Sequence, residues 1–282
     1  MGKRVISSVV VVAFTTVMLI MGGWFMLICL AGLSFGGMYE IFRLARKDEK
    51  EMDGKFAFKV MMIDGMVAAV VWMLLVHTLR DNIMNGNLTI MFLLTLVIVL
   101  MFEVVILYPR FTYVDMAFTL FGVMYVGVLF STFYMIRTNT NGEFYVWYIF
   151  AVAWGSDTCA FFTGLSLGRH KMSPLLSPKK TVEGAVGGVI GSIVLCLILG
   201  ASIASVTLID TGALIKFSLV TGLLGGVTAE IGDLFASSIK RWCGIKDFSQ
   251  IIPGHGGILD RFDSALMVAP LVMVMLGIFN MV

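Results

Sequence analysis

The chain has 282 residues, 59% of them hydrophobic and only 13% charged, with a mean hydropathy of +0.97. Soluble domains do not reach these values, so a soluble enzyme or a nucleic-acid-binding module is excluded and a polytopic membrane protein remains. The formal net charge of +2 carries little information alone, because in a membrane protein the placement of Lys and Arg is what matters.

A spanning helix needs roughly 20 mostly apolar residues. Windows of that kind fall at 5–21, 23–42, 60–79, 88–108, 113–136, 145–165, 184–207, 213–235 and 263–282, predicting an all-α polytopic helical bundle of about nine transmembrane helices. The opening MGKR and the apolar run from Val5 resemble the front of a signal peptide, but no small-residue cleavage site follows, so an uncleaved first span is expected. The loop RLARKDEKEMDGKFAFK at 43–59 reads as a solvated topology determinant touching anionic headgroups. All Lys and Arg residues except Arg80, Arg137 and Lys216 fall on one side of this scheme, which makes the N-terminus cytoplasmic and the C-terminus external. Residues 1–140 carry few polar clusters and read as a scaffold half. Residues 141–282 carry dense ones and read as a catalytic half sharing the same bundle. Asp64, Glu103 and Asp115 stand alone in the first half and read as packing or interfacial groups. Cys29, Cys159, Cys196 and Cys243 lie singly, without CxxC or CxxH spacing, and read as small apolar fillers.

The sixth window contains WGSDTCAFFTG, where Asp157 sits mid-span on the face of Trp154, Phe161 and Gly164. A lone acid inside a membrane points to an ion or a polar ligand. The loop after it, GRHKMSPLLSPKKTVEG, offers Arg169, His170, Lys171, Lys179 and Lys180. Topology alone accounts for much of that charge, but the Ser-Pro pairs stiffen the loop, and Lys179–Lys180–Thr181 runs into a helix starting near Glu183, a geometry that presents an anion to a helix N-terminus. Glycines 184, 187, 188 and 191 form overlapping GxxxG steps for close helix packing.

In the eighth window, TAEIGDLFASSIKRW puts Glu230, Asp233, Ser237 and Lys240 on one helical face. A structural ion pair with Lys240 or Arg241 is the plain alternative to a functional site there. Asp260 and Asp263 stand at the expected start of the ninth helix, where acids suit the helix dipole even without a metal. Together with Asp233 they form a hard-oxygen cluster suited to Mg²⁺. Between them runs PGHGG, whose glycines Gly254, Gly256 and Gly257 flank His255 and let backbone N–H groups approach phosphate.

The segment SSIKRWCGIKDFSQIIPGHGGILDRFD, from Ser237 to Asp263, resembles position by position the phosphatidate cytidylyltransferases, also called CDP-diacylglycerol synthases. SDTCAFFTG and GRHKMSPLLSPKKTVEG resemble that family too, with Cys159 where it often has Gly and Phe161 where it often has Tyr. The resemblance covers about residues 150–282. It implies cytidylyl transfer from CTP to phosphatidate, giving CDP-diacylglycerol and pyrophosphate, with Mg²⁺ required and a monovalent cation such as K⁺ in the metal centre. Asp233 and Asp260 would hold that centre, with Asp263 and Asp157 supporting it. Lys240, Arg241, Lys246, Arg261, Lys179 and Lys180 are candidates for phosphate contacts, Ser237, Gly256 and Gly257 for nucleotide binding, and His255 for hydrogen bonding. Membrane lipids would be partners and nucleic acid would not, with a homodimer left open. A bacterial plasma (inner) membrane with the site on its cytoplasmic side is expected. The rival readings are a CTP-dependent polyprenol kinase or another CTP:lipid-phosphate cytidylyltransferase, and a cation-coupled transporter. No internal repeat favours the transporter, and the D-G-x₂-A-R run of the CDP-alcohol phosphatidyltransferases is absent.

Overall fold

The computed structural model describes residues 2–45, 52–79, 87–252 and 256–281. Among the described residues, nine long helices follow in chain order: α1 (Gly2–Met21), α2 (Gly23–Ala45), α3 (Met52–Thr78), α4 (Asn87–Leu107), α5 (Tyr113–Arg137), α6 (Trp147–Leu167), α7 (Val182–Val206), α8 (Thr211–Trp242) and α9 (Leu259–Ile278). A helical turn at Gly142–Tyr145 leads into α6, and a hairpin of β1 (Lys171–Ser173) and β2 (Ser177–Thr181) joins α6 to α7. The all-α architecture is as expected, with this small hairpin as its one named sheet among the described residues.

Among the described residues, seven of the nine helices, α2 to α5 and α7 to α9, are long and apolar enough to cross a membrane, against the nine spans expected. The described apolar part of α1 is only Ser8–Met21. In α6 the sequence Gly155-Ser156-Asp157-Thr158 interrupts the apolar run, so the helix that carries the most polar centre falls short on composition.

Apolar surface faces outward as well as inward, as a lipid environment demands. The extreme is α4, whose Ile90, Met91, Leu94, Ile98, Met101, Phe102 and Val105 are all exposed. A specific polar tie joins α3 to α5. The indole N–H of Trp72 on α3 donates to the Ser131 hydroxyl on α5 at 2.7 Å. Thr112 and Asp115 form a capping box at the start of α5, so Asp115 is a helix-start residue. The middle of α5, Val123–Val128, is wound as a π-helix, a distortion frequent at functional sites.

The second half packs through small residues. On α7, a Cβ at Gly187 would run into Thr163 and one at Gly191 into Cys159, both on α6. On the other face of α7, the Ser192 hydroxyl donates to the Gly222 carbonyl of α8 at 2.9 Å. The GxxxG expectation is therefore met, with α6, α7 and α8 drawn close enough for backbone contact. At Gly232, α8 passes the backbone of Asp263 on α9, where an added Cβ would lie 3.0 Å from the Asp263 carbonyl oxygen. This contact places the acids of α8 beside those of α9.

Candidate active site

The site forms where the ends of α6, α8 and α9 meet the hairpin. Thr181 ends β2 and caps α7, its hydroxyl accepting from the Gly184 amide at 3.1 Å. Glu183, in the first turn of α7, accepts from the Arg169 and His170 amides at 3.0 and 3.2 Å and contacts His170 Nδ1 at 2.6 Å. This clasp ties the residues that follow α6 to the first turn of α7. Strand alternation turns Lys180 inward and leaves Lys179 exposed.

Lys180 Nζ then reaches Glu230 Oε2 at 2.5 Å and Asp233 Oδ2 at 2.8 Å, two acids on one face of α8. Burial alone pulls the Lys180 pKa down, but the Asp233 and Glu230 carboxylates outweigh it and hold the ammonium above the usual lysine value. Further along the same face, Ser237 and Lys240 are buried. Lys240 Nζ donates to Asp260 Oδ1 at 2.7 Å and lies 5.2 Å from the centre of the Phe248 ring.

Asp260 also shapes the loop, because its Oδ2 accepts from the amides of Phe248 and Gly257 at 2.8 and 2.9 Å. Gly256 makes this turn with φ of +84°, a left-handed conformation that side chains resist. One turn into α9, Asp263 is buried, with its Oδ1 accepting from the Ser264 amide at 2.8 Å and with Asp233, Asp157 and Lys240 in electrostatic reach. Asp157 on α6 feels Asp233, Lys180, Glu230 and Arg261. It opens into a cavity of about 360 Å³, lined also by Phe161, Leu165, Lys179, Lys180, Thr181 and Glu230. Phe161 and Leu165 are exposed apolar side chains, so a charged floor meets an apolar wall.

The structure thus brings together Asp157, Glu230, Asp233, Asp260 and Asp263 with Lys180 and Lys240. Arg241 is exposed and donates to the Leu176 and Ile245 carbonyls at 3.2 and 3.3 Å, fastening the hairpin to the end of α8. Lys246 and Arg261 are exposed near the loop. His255 and Gly254 lie outside the described residues.

Two participants escaped the sequence reading. Glu40 on α2 is fully buried and grips the loop through Ser249, Ile258 and Leu259. Tyr125, on the π-helical stretch of α5, is buried with an unpartnered hydroxyl and has Asp263 and Asp233 in electrostatic reach. The signal available for Glu40 was an acid inside an apolar window, which marks function by default.

Among the described residues, no three acidic, histidine or cysteine side chains stand close enough together to hold a metal ion. The donor chemistry nevertheless fits a hard cation. Buried Glu230 Oε1 has no hydrogen-bond partner, and the neighbouring carboxylates of Asp157, Asp233 and Asp263 are the oxygen ligands that Mg²⁺ prefers.

Fold and site together define a helical bundle, with seven described helices long and apolar enough to cross a membrane, whose acidic, lysine-bearing centre suits phosphate and cation together. The chain belongs to the cytidylyltransferase family, which it matches over residues 2–279. A phosphatidate cytidylyltransferase of Staphylococcus haemolyticus (strain JCSC1435) is 34% identical over 254 residues, 89% of this chain and 95% of that protein. One from Staphylococcus saprophyticus subsp. saprophyticus is 34% identical over 227 residues, 80% of this chain and 84% of that protein. One from Staphylococcus aureus (strain COL) is 40% identical over 167 residues, 59% and 61% of the two chains.

Proposed function

We infer that this protein transfers the cytidylyl group of CTP to phosphatidate, forming CDP-diacylglycerol and releasing pyrophosphate. The observation that carries the reading is the meeting of Lys180 with Glu230 and Asp233, beside Asp157 and Asp263, at the mouth of a cavity with an apolar wall, in a chain of the cytidylyltransferase family. A phosphate oxygen of phosphatidate attacks the α-phosphorus of CTP, and the bond from that phosphorus to the bridging oxygen of pyrophosphate breaks. The attacking oxygen is already anionic, so no strong general base is needed; the task is to bring two polyanions together and neutralise charge.

Lys180 and Lys179 line the cavity and are assigned to phosphate oxygens. Lys240, Arg241, Lys246 and Arg261 are assigned to the phosphates of the nucleotide, with Ser237, Gly256 and Gly257 as nucleotide contacts and His255 as a hydrogen-bonding group. Asp233, Asp260 and Asp263 would hold Mg²⁺, with Asp157 in support and K⁺ as a second cation. When bound, the cation would neutralise developing charge on the α-phosphate and on the departing pyrophosphate. Phe161 and Leu165 offer the acyl chains an apolar wall, so the lipid enters from the bilayer while CTP arrives from the cytosol. The remaining assignments are nine spans, a cytoplasmic N-terminus, a scaffold half at 1–140, a catalytic half at 141–282, and residence in a bacterial plasma membrane.

Purified protein in detergent, given labelled CTP and phosphatidate, is expected to form labelled CDP-lipid with Mg²⁺ and none after chelation. No labelled CDP-lipid under any metal condition overturns the reading.

A further inference from the structure

The helix that carries Asp260 and Asp263 has no side-chain cap of its own: Ile258 precedes it, and its side chain supplies no hydrogen bond to the first turn. The cap comes from α2. Glu40 Oε1 accepts from the Ile258 amide at 2.8 Å and from the Ser249 hydroxyl at 2.6 Å, while Oε2 accepts from the Leu259 amide at 2.9 Å. These are amides that a helix leaves unpaired at its start, and a carboxylate there also meets the positive end of the helix dipole. Glu40 and Leu259 are completely buried and Ser249 nearly so, so water does not substitute for this grip.

Small residues on both surfaces are what let α2 and the loop meet. A Cβ at Gly36 would run into Ile258, and one at Gly37 would lie 3.1 Å from Leu259 Cδ2. In the opposite sense, a Cβ at Gly257 would run into the Glu40 carboxylate. The run Gly36-Gly37-Met38-Tyr39-Glu40 is therefore a dock for residues 257–259, and the residue that follows them is Asp260. Asp260 in turn fastens Phe248, Gly257 and Lys240, so the places of these three are referred back to α2.

We propose that Glu40 is a positioning residue for cytidylyl transfer, its carboxylate fixing the first turn of α9 and so the places of Asp260 and Asp263. The proposal rests on the activity assigned above. Glu40 touches backbone and a hydroxyl, so it acts through Asp260 and Asp263, and its loss should appear in turnover rather than in lipid binding.

The test uses the full-length protein in detergent, with Glu40→Gln as the first variant. Glutamine keeps one acceptor oxygen but turns an NH₂ group toward an amide. The expected result is a fall in kcat of about 10²-fold, as a displacement of about 1 Å produces, with KM for phosphatidate held within roughly twofold. Hydrogen–deuterium exchange without substrate or metal should speed up across residues 248–260 and stay unchanged in α6 and α7. Unchanged kcat together with unchanged exchange overturns the proposal, and so does faster exchange throughout the bundle, which would mark a purely structural role. If Glu40→Gln does not fold, Ser249→Ala removes one of the three donors. It should lower kcat about fivefold to tenfold at constant KM, in line with the net worth of one typical hydrogen bond, and unaltered kcat overturns the proposal. Failure of the assigned activity is separable, since it would leave the wild-type protein inactive while the exchange experiment still reads the grip.

Discussion

Lys180 and Lys240 divide the acids between them, and the division separates two kinds of carboxylate. Asp233 shares Lys180 with Glu230, so its loss leaves that ammonium paired. Asp260 holds Lys240 with side chains only 4% and 10% exposed, and it also satisfies two loop amides. Breaking a buried pair by removing one partner typically costs about 3–5 kcal/mol. Asp233→Asn and Asp260→Asn should therefore both lose turnover, by about 10²-fold or more on the scale of a lost transition-state charge contact. Only Asp260→Asn should also lower the melting temperature in detergent. Undiminished turnover in Asp260→Asn would sink its assignment to the metal centre, and equal melting shifts would sink the distinction between the two acids. These residues were legible in the sequence because a charge within an apolar window needs a reason to be there. Glu40 carried that same signal but stood alone, Tyr125 carried none, and the partners of both lie more than a hundred residues away in the chain.

At the scale of elements, the position of Asp157 depends on how closely α6 lies on α7. Gly187 has no room for a side chain against Thr163, a stiff β-branched residue. Replacing glycine within a helix can gain up to about 1 kcal/mol in propensity, but overpacking typically costs about 1–3 kcal/mol. The clash should win for a large side chain. Gly187→Leu is expected to lower the melting temperature and, by pushing α6 outward, to reduce turnover more than it reduces expression. A leucine variant with wild-type melting and turnover would show that the seam is not tight. The seam was readable from glycine spacing, and the helix after Lys180 from the Lys-Lys-Thr run, because both are local signals. The hairpin was not readable. Its pairing of Lys171 with Thr181 and Ser173 with Ser177 lies in a Ser-Pro stretch that reads equally well as a stiff loop. Nor was the π-helical turn of α5, where no proline or polar residue breaks the apolar sequence to announce it.

For the whole molecule, the unequal distribution of Lys and Arg predicts that the hairpin and the Ser237–Asp263 loop share the cytoplasmic side. In a variant stripped of native cysteines, an impermeant maleimide added outside sealed cells should label Lys216→Cys and leave Lys246→Cys unlabelled until the membrane is opened. Both positions are exposed, so labelling reports access rather than burial. The opposite pattern would invert the orientation. Composition revealed the bundle and nearly all of its helices. It could not show that α2, in the half read as scaffold, reaches the loop that carries the chemistry, because that contact joins Glu40 to residues 249, 258 and 259.

One dimension of α8 sets the level at which all this happens. Its 32 residues rise about 48 Å at 1.5 Å each, well beyond the roughly 30 Å of a hydrocarbon core. Counted from the external Lys216 in an upright helix, that thickness would be used up at about Ser237, which would leave Lys240 and Arg241 among the headgroups and Glu230 and Asp233 one to two turns below them. In that placement the helix would act as a ruler laid across the bilayer, with Lys240 and Arg241 as its charged mark at the depth where a phospholipid keeps its phosphate. A membrane thicker by one helical turn, about 5.4 Å, would draw that mark into oil, where a charged side chain costs about 3 kcal/mol. The thickness of the host bilayer is thus built into the working conditions of the site.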